Sequence, residues 1–268
     1  MTKDNTLPIG VFDSGMGGLT VLAALKRALP QEDFLYLGDT ARLPYGTKSP
    51  KTVRRYAAQA TQLLVDQGIK SLVIACNTAS AYALQHLEQV FAPLPVYGVV
   101  EAGAQAAVTA AGSSGIWVVA TESTIASGAY QGALTSLAPR LAVYGRAAPL
   151  WVTLAEQGGQ TSEFEGAVLR HALGGFEASG ANTLLLGCTH FPVFRDALAA
   201  LLPSKTVIVD SAQTTALAVA QGLISARLNR AHGAGRVTYF ATDGETRFRR
   251  VGGYFLGAAI DQVTLVDL

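Results

Sequence analysis

Two thiols stand out as the groups in this chain able to do chemistry. Cys76 in SLVIACNTAS and Cys188 in NTLLLGCTHF each end an apolar, β-branched run, and a short polar stretch then leads into a helical segment. In open α/β sheets the carboxyl ends of the strands form the crevice that takes ligands, so both thiols are expected to face a cleft. Asn77, Thr78, Thr189 and His190 follow directly and offer hydrogen-bonding groups, and the start of the next helix favours an anion or thiolate. One free cysteine on a strand is ordinarily buried and inert. Two in matched settings point to function instead. With only two cysteines in 268 residues a disulfide scaffold is excluded, and no His or Cys stands at the spacing that a structural zinc site needs.

Other strand ends carry polar groups of the same kind. VFDSGMGGLT places Asp13 and Ser14 before a glycine turn into a helix. Its glycines at 15, 17 and 18 do not make a dinucleotide fingerprint, because Thr20 stands where the third glycine belongs, and no Walker Lys-Ser/Thr follows. A tight turn capped by Asp13 or Ser14 explains the segment equally well. LGDTARLPYGTKS brings Tyr45 and Gly46, a phenol beside a bare backbone amide, either to a small polar ligand or to an ordinary solvent loop. Glu156 in WVTLAEQG, followed by Gly158 and Gly159, reads as a helix-end residue or as a buried carboxylate near a thiol. Of four histidines only His190 adjoins a candidate catalytic group.

Taken together, DSGMGGLTV at 13–21, GDTARLPYG at 38–46, IACNTAS at 74–80, ATESTIASGAY at 120–130, LAEQG around Glu156 and GCTHFP at 187–192 resemble the glutamate racemases of the bacterial cell-wall pathway, within the aspartate/glutamate racemase superfamily. The resemblance spans nearly the whole chain. It implies two similar α/β lobes facing each other across a cleft, one thiol reaching in from each side, and no cofactor. It makes Cys76 and Cys188 the two proton donor/acceptors, Cys76 as base for the D-enantiomer and Cys188 for the L-enantiomer. Asp13, Ser14, Tyr45, Gly46, Asn77, Thr78, Thr189 and His190 become the groups that hold the substrate, with Asp13, Glu156 and His190 tuning the thiols. The implied reaction converts L-glutamate to D-glutamate for peptidoglycan synthesis. One departure concerns the lobe junction, where the family often has Glu-Pro-Gly and this chain has Glu101-Ala102-Gly103.

Three alternatives stay open: an aspartate racemase or other superfamily member, a cysteine hydrolase, and a non-catalytic binding protein for small acids. Against the hydrolase, a histidine two positions from Cys188 is expected to be badly placed as its base. The only lysine near these motifs is Lys48, which argues against pyridoxal phosphate.

To position these groups the chain needs parallel strands, and it has the pattern for them. PIGVFDS, DFLYLGD, SLVIAC, VYGVV, GIWVVAT, LAVYGRA, TLLLGC, TVIVDS and VTYFAT read as buried strands bounded by turn residues. Between several of them, 19–29, 52–67, 78–90, 164–175, 194–202 and 214–228 have helical spacing, and Gly68 and Gly180 stand as helix-ending glycines. The expected fold is α/β, mostly parallel sheets flanked by helices, with the site between two lobes. Residues 1–98 with 207–268 are predicted to form a discontinuous first lobe and 99–206 the second, each contributing one cysteine. The chain is 50% hydrophobic, ample for a core, and its 20 basic against 19 acidic residues leave a net charge of +1. No Lys/Arg run exceeds a pair such as Arg249-Arg250, so nucleic acid and anionic membranes are not expected as partners, and the expected partner is a small-molecule substrate. No signal-peptide stretch or 18-residue apolar segment occurs, so a cytoplasmic protein is expected. A homodimer stays open.

Overall fold

The computed structural model describes residues 4–158 and 163–268. Among these residues ten strands follow in chain order: β1 (Ile9–Asp13), β2 (Phe34–Gly38), β3 (Ser71–Ile74), β4 (Val96–Tyr97), β5 (Gly115–Ala120), β6 (Val143–Ala147), β7 (Ala181–Gly187), β8 (Val207–Asp210), β9 (Val237–Ala241) and β10 (Thr264–Leu265). They form a six-stranded sheet in the order β10-β9-β2-β1-β3-β4 and a four-stranded sheet in the order β6-β5-β7-β8, every pairing parallel. Parallel strands covered on both faces must be apolar throughout, and β1, β3 and β5 are buried at every position.

Register brings the polar ends together. Asp13 pairs with Gly38 and Phe12 with Ile74, so Asp13 and Cys76 leave one edge of the first sheet side by side. Ala120 pairs with Gly187, which puts Thr121 and Cys188 at the matching edge of the second. Helices secure these edges. Leu19–Ala28 buries Leu19, Val21, Leu22 and Leu25, an i, i+3 stripe, and its last-turn Lys26 and Arg27 suit the helix dipole. It packs on Ala212–Ala226, while Pro50–Asp66 packs on Asn77–Val90. One apolar cluster runs through both lobes, joining Ile9, Val11 and Leu22 to Val119, Leu184, Leu186 and Trp151. Among the described residues no helix is long and apolar enough to cross a membrane.

The α/β reading and the glycine stops hold: Gly68 and Gly180 adopt φ of +76° and +71°. Gly158 has φ +87°, whereas Gly159 lies outside the described residues. Two boundaries differ from expectation. The division at 206/207 cuts off β8, which hydrogen-bonds to β7 with Thr183 opposite Val207, so the second sheet continues to Asp210 and the chain turns back at Ser211. VYGVV is a strand only over Val96–Tyr97, because Val100 already opens the helix Val100–Ala111. The sequence reading also lacked β10 and the helices Glu122–Ala126, Ala129–Leu137 and Glu245–Leu256, while Glu156 does end a helix, Pro149–Glu156, as one of its two readings had it.

Candidate active site

Cys76 caps the helix Asn77–Val90 in extended backbone geometry, φ −133° and ψ 122°, and its Sγ accepts from the Ala79 amide at 3.4 Å. Its thiol donates to Ser14 Oγ at 3.5 Å. Burial pushes the Cys76 thiol up to about 12, the neighbouring Asp13 charge adds to the rise, and its hydrogen bonds with Ser14 and the Ala79 amide oppose it. Cys76 therefore rests as a thiol. Asp13 is wholly buried, and burial raises its carboxyl against the pull of His190. One carboxylate oxygen accepts from the Gly15 and Gly18 amides at 3.1 and 3.0 Å, the cap expected of this turn.

Cys188 sits just past β7 on the facing lobe. Its Sγ is 3.7 Å from His190 Nδ1, His190 Nε2 is 3.1 Å from Glu156 Oε1, and Arg247 Nη2 donates to Glu156 Oε2 at 2.8 Å. Burial works against a charge on His190, but its bonds to Cys188 and Glu156, with the Cys188 and Asp13 charges, outweigh that and carry it up to about 10. His190 is an imidazolium at neutral pH. The expectation that a histidine two residues away is badly placed for Cys188 is corrected here, since the turn after β7 folds the ring back against the sulfur. What sets the site apart from a hydrolase, which needs one nucleophilic thiol, is the second thiol, Cys76, lining the same pocket.

The remaining groups close the pocket. The Tyr45 hydroxyl donates to Asp39, which also accepts from Arg42 Nε at 2.7 Å and Thr242 Oγ1 at 3.0 Å, so the phenol is committed to its own loop. Gly46 lies against Thr121, where a Cβ would stand 2.6 Å from the threonine Cβ. Thr78, Thr121 and Thr124 join their hydroxyls in a ring, with separations of 3.0, 2.9 and 2.9 Å, across the two lobes. Each hydroxyl in the ring can donate once and accept once, which leaves a lone pair on Thr78 and on Thr124, while Thr121 Oγ1 also accepts from the Thr124 amide at 3.2 Å. Asn77 Nδ2 donates to the Tyr130 hydroxyl at 2.6 Å, and its buried Oδ1 has no protein partner. From the facing lobe, the Thr189 carbonyl accepts from Thr20 Oγ1 at 3.0 Å.

Ser14, Tyr45, Gly46, Cys76, Asn77, Thr78, Cys188, Thr189 and His190 line one pocket together with Pro44, Thr121 and Val152. Asp13 and Glu156 stand behind that wall, in contact with the groups that form it. The pocket is tight, with a free volume of about 20 Å³, room for about one water. Roomier surface grooves elsewhere carry neither thiol. Among the described residues no group of three or more His, Cys, Asp or Glu side chains is arranged to hold a metal ion.

The profile of the Asp/Glu/hydantoin racemase family matches residues 9–219. The chain belongs to this family. A glutamate racemase of Geobacter metallireducens is 46% identical over 97% of this chain and 96% of its own length. Glutamate racemase from Francisella tularensis, solved in complex with D-glutamate, superposes with a TM-score of 0.92 at 33% identity, covering 98% of each chain. The enzyme from Thermus thermophilus, solved with β-chloro-D-alanine, gives 0.88 at 42% identity, covering 99% of each. The chain is thus an amino-acid racemase of α/β fold.

Sequence reasoning missed several contributors to this racemase site, among them Thr121, Thr124, Tyr130 and Arg247. Thr121 and Thr124 were legible in principle, since Thr121 directly follows β5 and caps the next helix as Cys76 does after β3. Tyr130 closes the ATESTIASGAY motif without being given a role there, and Arg247 gave no signal, because it reaches the site only through the packing of its helix.

Proposed function

We propose that this chain interconverts L- and D-glutamate in the cytoplasm, without a cofactor, by proton transfer between Cα and two thiols, and that the D-glutamate supplies peptidoglycan synthesis. The observation that carries the reading is the pair Cys76 and Cys188, buried at corresponding strand ends of two lobes and lining one pocket.

Inversion at Cα requires a proton to leave one face and another to arrive on the opposite face, which two acid–base groups on opposite walls can do. His190, 3.7 Å from Cys188 Sγ, is placed as counter-ion for negative charge that forms on that sulfur during the reaction, while burial favours the protonated form of Cys76. The Cys188 thiolate takes the α-proton of L-glutamate, and the C–H electron pair remains on Cα. Cys76 then delivers its proton to the other face and becomes the thiolate, held by Ser14 and the Ala79 amide. The reverse sequence serves D-glutamate.

An α-proton beside an ionised carboxylate is only weakly acidic, so charge must be met as it builds. Preorganised donors in a pocket closed to water supply that stabilisation. Ser14, Asn77, Thr78, Thr121 and Thr189 are the polar groups at hand, and Asn77 Oδ1 is free to accept from the substrate ammonium. Glutamate is several times larger than a water, so the lobes must part to admit it. Following the optical rotation of D- or L-glutamate with the purified protein and no added cofactor tests the reading, and an unchanged rotation overturns it. Aspartate, shorter by one methylene, should react with kcat/KM lower by about 10- to 200-fold.

A further inference from the structure

We propose that Arg247 is a positioning residue for racemisation: it reaches from one lobe onto Glu156 of the other and holds that carboxylate against His190, behind Cys188. The proposal rests on the reading of Cys188 as a reacting thiol. Arg247 lies in the first turn of helix Glu245–Leu256, whose neighbour Phe248 is buried against the Tyr36 ring of the first sheet. Glu156 ends a helix of the second lobe, and among the described residues its two oxygens are met by His190 and Arg247.

The loop before Arg247 is tied to the substrate loop. The Asp243 amide donates to Thr40 Oγ1 at 2.9 Å, and Thr242 Oγ1 serves the same Asp39 that holds the Tyr45 hydroxyl. One buried carboxylate therefore sets both the Tyr45–Gly46 wall and the approach of Arg247. The sequence Arg247, Glu156, His190, Cys188 alternates in charge when the sulfur is a thiolate, and its outermost link spans the two lobes. A shift of a few ångströms on opening breaks the 2.8 Å contact, so the relay is complete only when the pocket is shut.

An ion pair with a half-exposed guanidinium contributes little to stability by itself, and its effect here is on geometry. The titratable groups facing His190 are Cys188 from the end of β7, Glu156 from its helix and Asp13 from the end of β1. Without Arg247 the outer oxygen of Glu156 is left buried and unpaired, and the carboxylate turns toward solvent. His190 then loses a direct 3.1 Å partner, which outweighs removal of a more distant, screened cation.

The test is a double-mutant cycle with Arg247→Ala and Glu156→Gln. We expect Arg247→Ala to lower kcat/KM about tenfold and move the alkaline limb of its pH profile to lower pH, with Arg247→Lys recovering part of both. In the Glu156→Gln background Arg247→Ala should add nothing. Additive effects, or a fall in rate with an unmoved pH profile, overturn the proposal. Cys188→Ala assayed alongside separates the two readings, because only retained racemisation in that variant overturns the thiol assignment.

Discussion

Gly17 and His190 come from opposite lobes and meet so closely that a Cβ on Gly17 would stand 2.3 Å from His190 Nδ1 and 2.8 Å from Thr189 Oγ1. The glycine turn after β1 thus clears space for the imidazole beside Cys188. Its neighbour Gly18 does the same for Asp13, whose Cβ lies 2.6 Å from where a Gly18 Cβ would be. Neither residue has a positive φ, so clearance is what the positions require.

Gly17→Ala should therefore displace His190 from the sulfur. Misplacing a group by about 1 Å can cost on the order of 100-fold in rate, and kcat/KM should fall by about that factor. Steady-state kinetics within threefold of the parent would show that His190 need not occupy this position.

Substituting Ala for either Cys76 or Cys188 should abolish racemisation from both enantiomers. The enantiomers have equal free energy, so every variant must keep the same kcat/KM in the two directions, and neither direction can be spared. In D₂O, product formed early should carry deuterium at Cα while recovered substrate stays mostly protiated, because the delivering thiol has already exchanged with solvent. Mass spectrometry at low conversion reads this, and extensive protium in the product would contradict two opposed thiols.

His190 makes folding stability depend on pH in a predictable direction. Its folded-state value of about 10 lies above the ordinary 6.5, so the native protein holds a proton that the unfolded chain has released between those values. The stabilisation is complete below pH 6.5 and is lost as pH rises toward 10. Cys76, raised from 9.0 to about 12, acts in the same direction but begins only above pH 9. Urea unfolding at pH 6.5 and 8.5 should show the decline in the parent and a much smaller one in His190→Asn. Equal slopes would remove the imidazolium from the account.

Thr124 lies outside the pocket wall yet shares hydroxyl contacts with Thr78 and Thr121, which line it. Thr124→Val keeps the shape and leaves those two hydroxyls with one fewer partner. A loss of about 1 kcal/mol in substrate binding is expected, seen as a KM increase of about fivefold with kcat little changed. An effect confined to kcat would point to a different role for the ring.

Much of the site was legible in the order of the residues. Each thiol ends an apolar run and precedes a helix, and in a parallel sheet that local grammar suffices to put a side chain on the ligand-binding edge. Asp13, Ser14, Asn77, Thr78, Thr189 and His190 lie within two residues of those ends, so their nearness to the pocket followed from chain connectivity. What local pattern does not contain is the partner across the cleft. That Cys76 is held as a thiol while His190 carries charge depends on burial and on Asp13 and Glu156, residues remote from them in sequence. Tyr45 shows the same limit, since its neighbours suggested a phenol offered to ligand, whereas tertiary contact commits it to Asp39. β8 was assigned to the wrong lobe because a four-residue apolar strand pairs equally well with either sheet until packing selects one. Arg247 is the extreme case: nothing in GETRFRR marks an active-site residue, and only the docking of its helix across the lobes places a guanidinium on Glu156.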